Sequence, residues 1–129
     1  MAGTIAADTL THSTAGSLDT SYVVNGSAKA WSNYSGSGTT FRDSFNCASA
    51  TDNGTGDYTN SFTSNMNNDD YSVSVGIRYD SGANPSYAAR TVELKTFATG
   101  SIRYVGQIGA GGSTNDFDHT CPHIMGDLT

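Results

Sequence analysis

The stretch Tyr71-Ser72-Val73-Ser74-Val75-Gly76-Ile77-Arg78-Tyr79-Asp80 decides the fold. Tyr71, Val73, Val75, Ile77 and Tyr79 alternate strictly with Ser72, Ser74, Gly76, Arg78 and Asp80, the period of a β-strand with one buried and one wet face. The same period returns on either side. Tyr58, Asn60 and Phe62 share one face of a strand whose other face carries Thr59, Ser61 and Thr63. That strand follows Asp52-Asn53-Gly54-Thr55-Gly56-Asp57, the strongest hairpin signal in the chain. Thr40 to Thr51 reads as one strand with Phe41, Phe45 and Cys47 on a common face, and Lys29 to Tyr34 as a short strand ended by Gly36-Ser37-Gly38. Beyond Asp80, Ser81 to Ser86 reads as a turn in which Pro85 forbids a ladder bond. Thr91 to Thr96, Ile102 to Ile108 and Phe117 to Met125 are three further strands, with Gly109-Ala110-Gly111-Gly112 as a loop.

Composition agrees. Ser, Thr, Asn and Gly dominate, Glu93 is the single glutamate, and Lys29 and Lys95 are the only lysines, so good helix formers other than Ala are nearly absent. Seven short strands separated by turn residues in 129 residues predict one all-β domain, an antiparallel β-sandwich of jelly-roll-like type. Residues 1–27 read differently. Ile5, Leu10, Leu18, Tyr22, Val23 and Val24 are scattered without a sustained period, and so few apolar groups do not offset the entropy of ordering the segment alone. This predicts an extended N-terminal arm, 1–27, that lies on another surface through Ile5, Leu10 and Leu18, joined to a sandwich at 28–129.

The net charge of −6 and the lack of a basic run argue against nucleic acid. No apolar stretch approaches a membrane span. The opening Met-Ala-Gly-Thr-Ile-Ala-Ala-Asp has no basic and apolar regions of a signal peptide, so assembly in a cytoplasm is expected.

Chemistry has little support. No serine sits in a G-x-S-x-G turn, and the many aspartates fall mostly where turns want them, so no carboxylate pair stands out for glycoside hydrolysis. The Gly109–Gly112 loop lacks the Lys and helix of a phosphate loop. No enzyme and no cofactor are expected. The sharpest signal is His119-Thr120-Cys121-Pro122-His123. In an extended strand His119, Cys121 and His123 point to one side, which is a zinc-binding set if one more ligand joins, with Cys47 the candidate. The competing reading is a core strand satisfied locally, or histidines that face a neighbouring subunit, with Cys47 and Cys121 as unpaired small apolar residues.

The block Gly26-Ser27-Ala28-Lys29-Ala30-Trp31, Gly36-Ser37-Gly38-Thr39, Arg42-Asp43-Ser44-Phe45-Asn46 and Thr51 to Thr59, continued by Asn65 to Val73, resembles small tail-fibre-like or virion structural proteins of tailed bacteriophages of aquatic bacteria. Ile5 to Leu10 and Met125-Gly126-Asp127 resemble the ends of that family, whereas residues 76–112 are this chain's own. His119, Cys121 and His123 depart from it. The resemblance implies a non-enzymatic virion part assembled in a host cytoplasm, displayed as a homo-oligomer, by analogy a trimer, and bound to other virion proteins. One form is a tail-fibre-like module touching host-surface glycans, for which Tyr34, Tyr87 and Tyr104 are candidate stacking residues. The other is a capsid decoration or head-fibre protein held to the shell by its arm.

Overall fold

The computed structural model describes residues 3–79, 89–109 and 112–129, so the expected turn at Ser81 to Ser86 lies outside the described residues. The elements are β1 (Thr9–His12), β2 (Gly16–Asp19), α1 (Thr20–Gly26), β3 (Ala30–Tyr34), β4 (Phe41–Phe45), β5 (Cys47–Gly54), β6 (Asp57–Phe62), β7 (Ser72–Arg78), β8 (Arg90–Ala98), β9 (Ser101–Ile108), β10 (Ser113–Thr114) and β11 (His119–Met125). Two antiparallel sheets form a sandwich. One runs β4-β3-β11-β7. The other runs β8-β9-β6-β5, with β10 beside β9 where β6 has ended.

The two-residue period decides what goes inside. Tyr58, Asn60 and Phe62 of β6, Ile102 and Tyr104 of β9, and Ile124 of β11 are buried between the sheets with Ala30, Tyr34, Met66 and Tyr71. Val73 and Val75 of β7 pack against this cluster, while Ser72, Ser74, Gly76 and Arg78 face outward. Tyrosine makes this core aromatic and polar together. Tyr34 packs edge-on against Tyr58 at 5.6 Å between ring centres, and Phe62 against Tyr71 at 5.8 Å. Each buried hydroxyl then needs a partner. Tyr34 and Tyr104 are joined hydroxyl to hydroxyl, Tyr104 donates to Asn60 Oδ1 at 3.2 Å, and Asn60 Nδ2 donates to Ser32 Oγ at 2.7 Å. Tyr71 donates to the carbonyl of Ser101 at 2.8 Å. Burial pushes the Tyr34, Tyr71 and Tyr104 hydroxyls upward, so they remain protonated donors.

The single strand expected over Thr40 to Thr51 is two strands in different sheets. Asn46 sits between β4 and β5 at φ 51° and turns the chain from one layer to the other. Its side chain fixes the corner, donating to the carbonyls of Lys29 at 3.0 Å and Ser64 at 3.1 Å and accepting from the Ser64 amide at 2.6 Å. A register shift at Asn33/Tyr34 also breaks the parity along β4. Phe41 therefore packs against the core, Phe45 points out to solvent, and Cys47 packs against the core from the opposite sheet.

The N-terminal segment is not an extended arm. β1 and β2 pair as a hairpin, with Leu10 opposite Leu18, and α1 follows at once. His12 builds the turn by accepting from the amides of Thr14 at 3.3 Å and Ala15 at 3.0 Å, and Asp19 caps the helix by accepting from the Ser21 amide at 2.8 Å. Among the described residues nothing before Ala30 joins the core. This seven-residue helix is the only helix among the described residues, and none is long and apolar enough to cross a membrane.

Candidate functional site

The two outer faces of the sandwich differ in chemistry. On the five-stranded sheet the outward residues neutralise one another. Arg103 grips Asp57 through two bonds, Nε at 2.9 Å and Nη2 at 2.7 Å, and Lys95 meets Glu93 at 2.7 Å. Hydrogen bonds from Arg103 hold the Asp57 carboxyl below its usual value, against the opposing effect of burial. A carboxyl whose folded value is depressed adds stability above its unfolded value, near pH 4, and loses it as pH falls through the folded value. Arg103→Ala is therefore expected to lower the thermal midpoint at pH 7 by at most a few degrees and to match the parent protein near pH 2. A difference that persists undiminished in acid, measured by circular dichroism melts, would mean that Arg103 acts through packing.

The outer face of the four-stranded sheet is different. Register aligns one residue from each strand into a row: Phe45 opposite Trp31, Trp31 opposite His123, His123 opposite Ser74. Phe45 is 52% exposed, Trp31 is half-buried and His123 is exposed, with Met125, 44% exposed, further along β11. Two residues along, Asn33 pairs with Asp43 and Cys121 with Gly76. Here polar groups cluster. Asn33 Oδ1 accepts from Arg42 Nη1 at 3.4 Å and lies 3.2 Å from His119 Nδ1, so the ring donates through Nδ1. The face thus carries flat aromatic surface beside an amide, a guanidinium, an imidazole and a carboxylate.

This face gathers part of what the sequence singled out. His119, Cys121 and His123 do point to one side, outward, while Thr120, Pro122 and Ile124 are buried. Cys47 does not join them. It packs on the core side, its thiol donating to the Trp31 carbonyl at 3.4 Å, so the four-stranded sheet separates it from Cys121. Both cysteines are free, and burial raises both thiols, with Arg42 acting against this at Cys121. Among the described residues no three His, Cys, Asp or Glu side chains are gathered closely enough to hold a metal ion. Phe117, which strand alternation would put on the side of His119, precedes β11 and is buried in the sandwich.

The stacking residues need correction. Tyr34 is 0% and Tyr104 1% exposed, and their hydroxyls are bonded to each other, so neither offers a ring face to a sugar. Tyr87 lies outside the described residues. On the outer face of the four-stranded sheet, Trp31 and Phe45 present aromatic surface. Trp31 was legible as an aromatic at odd parity in a strand whose even positions are inward, but the sequence alone does not say which parity is inward in a five-residue strand.

A second exposed apolar surface lies on the N-terminal unit. Ile5 is 91% and Tyr22 70% exposed, and Leu10, Leu18, Val23 and Val24 are exposed as well. All of these but Tyr22 line two shallow grooves that share Leu10, one with Leu18, His12 and Ala15, the other with Ile5, Val23 and Val24. No protein-family model matches the chain, and neither a curated protein nor a solved structure is significantly similar to it.

Proposed function

We propose that this chain is a non-enzymatic bacteriophage virion protein, a tail-fibre-like module that is held to the particle by its N-terminal unit and contacts host-surface glycans through the outer face of its four-stranded sheet. The observation that carries the reading is the contrast between the two outer faces. One is closed by ion pairs. The other offers the row Phe45, Trp31 and His123 beside Asn33, Arg42 and Asp43. Sugars have apolar C–H faces and hydroxyl edges, and such a surface meets both. Aromatic rings take the C–H face with little loss of side-chain entropy, and the amide, guanidinium and carboxylate take the hydroxyls. The interior supports a binding role over catalysis, because Tyr34, Tyr104, Asn60 and Ser32 are spent on one another.

Binding to a panel of immobilised bacterial surface polysaccharides tests this. Trp31→Ala is expected to weaken the best binder about 30-fold or more, the effect of losing a central aromatic anchor of about 2 kcal/mol, with the fold unchanged. Arg103→Ala on the opposite face should leave binding intact. A capsid decoration protein, anchored by the same unit, predicts no polysaccharide affinity at all, and that outcome would overturn the glycan reading.

A further inference from the structure

We infer that β7 is a pairing edge, and that its partner is β7 of a second copy of this chain in antiparallel register about a two-fold axis. Apart from the two-residue β10, the four edge strands of the sandwich are not alike. β5 is interrupted by register shifts at Cys47/Ser49 and Asp52/Gly54. β8 is interrupted at Leu94/Thr96 and carries Arg90, Glu93 and Lys95. β4 is short, opposes the shift at Asn33/Tyr34, and carries Arg42 and Asp43. Bulges, charges and shortness are how sheets keep unpaired edges from recruiting further strands. β7 has no bulge, is not short, and carries no charge before its last residue. Its seven residues stay in unbroken register with β11, from Ser72 opposite Met125 to Arg78 opposite His119, and Arg78 at its end is its only charge. Among the described residues no other strand pairs with it.

The sequence of β7 fits a copy of itself. With Val75 opposite Val75, Val73 falls opposite Ile77, Ser74 opposite Gly76, and Ser72 opposite Arg78. Inward residues meet inward residues, small outward residues meet small ones, and the two arginines sit at opposite ends instead of facing each other. Val73, Val75 and Ile77 remain only half-buried within one copy, so the neighbouring strand would cover apolar surface as well as satisfy backbone groups. A two-fold pairing of this kind gives a dimer, in place of the trimer that the resemblance implies, and it joins two four-stranded sheets into one.

The test uses the full chain and charge swapping on the outward face. A Cβ at residue 76 would meet only ordinary contacts with Cys121, so Gly76 tolerates a side chain. In the proposed register Ser74→Glu with Gly76→Glu places like charges opposite each other twice, whereas Ser74→Lys with Gly76→Glu places opposite charges there. Sedimentation equilibrium should show the parent and the Lys/Glu variant with twice the mass of the Glu/Glu variant. Equal masses for all three would overturn the proposal. Hydrogen exchange on the unmodified protein keeps the question open to disproof should the Glu/Glu variant misfold. Alternate amides of 72–78 should slow at high concentration and speed up on dilution, and exchange that is fast at both concentrations would overturn the pairing.

Discussion

Replacing Asp116 with alanine is expected to lower the unfolding free energy by about 3–4 kcal/mol. Asp116 stands between β10 and β11 and is half-buried, yet it ties the hairpin of the other sheet. Its Oδ1 accepts from the Tyr58 hydroxyl at 2.6 Å and from the Gly56 amide at 2.7 Å. Bonds to a carboxylate contribute about 1.5–3 kcal/mol each, and both go with the one side chain. Tyr58 is 1% exposed, so its hydroxyl relies on the carboxylate as its partner in the folded protein. The neighbouring backbone cannot relax to help. Gly56 has φ 73°, and a Cβ there would fall 2.7 Å from Asn115 N and O; one on Gly106 would fall 2.3 Å from the Phe117 ring. The chain from 115 to 117 is therefore seated against two glycines, which hold the gap closed. In a domain whose whole stability is of order 5–15 kcal/mol, this loss lowers the thermal midpoint by roughly 10 °C. Asp116→Asn keeps an acceptor oxygen and should cost less. Tyr58→Phe leaves the Gly56 bond in place and should cost about 1–2 kcal/mol. Asp116→Ala falling within about 1 kcal/mol of the parent, or costing less than Tyr58→Phe, would refute the tie.

The sheets were legible where parity ran unbroken. β7 alternates without fault, and the inward set Tyr58, Asn60 and Phe62 is buried as its spacing demands. Reading failed where the backbone itself breaks parity. Asn46 at φ 51°, held by its bonds to Lys29 and Ser64, and the shift at Asn33/Tyr34 are tertiary features, and no local pattern announces them. Even spacing puts Phe45 on one face with Phe41 and Cys47, and the break in parity turns it outward instead, which hides half of the aromatic row from the sequence. Tyr34 and Tyr104 failed for another reason. Tyrosine is amphipathic, and whether it lies inside or outside depends on a partner for its hydroxyl. Here the partners are each other and Asn60, from strands that only the fold brings together. The N-terminal hairpin escaped because its turn is closed by His12, a residue that carries no turn signature.

On the proposed role as a virion protein held by its N-terminal unit, deleting residues 2–24 is expected to leave a folded domain that no longer enters particles. No described residue before Ala30 contributes to the core, and at the junction Lys29 reaches back to the carbonyls of Val24 and Ser27. The deleted unit meanwhile exposes nearly every apolar side chain it has. Covering one such side chain completely gains about 1.5–3 kcal/mol, and several are arranged around Leu10 on both sides of the hairpin. Association opposes this with reduced translational freedom and ordering entropy. The hairpin and helix reduce that cost because the unit is already folded, which makes it a better anchor than the extended arm its sequence implied. Covering three of these side chains at once is worth roughly 5 kcal/mol, several thousand-fold in affinity, so without them incorporation should drop to background. Leu10→Asp with Leu18→Asp should reproduce the defect in the full-length chain, since the two residues face each other across β1 and β2. Both proteins are assayed by purifying particles and quantifying the bound chain, with circular dichroism confirming the β-sandwich. Normal incorporation of the truncated chain would place the attachment on the sandwich and reduce residues 3–27 to a tether.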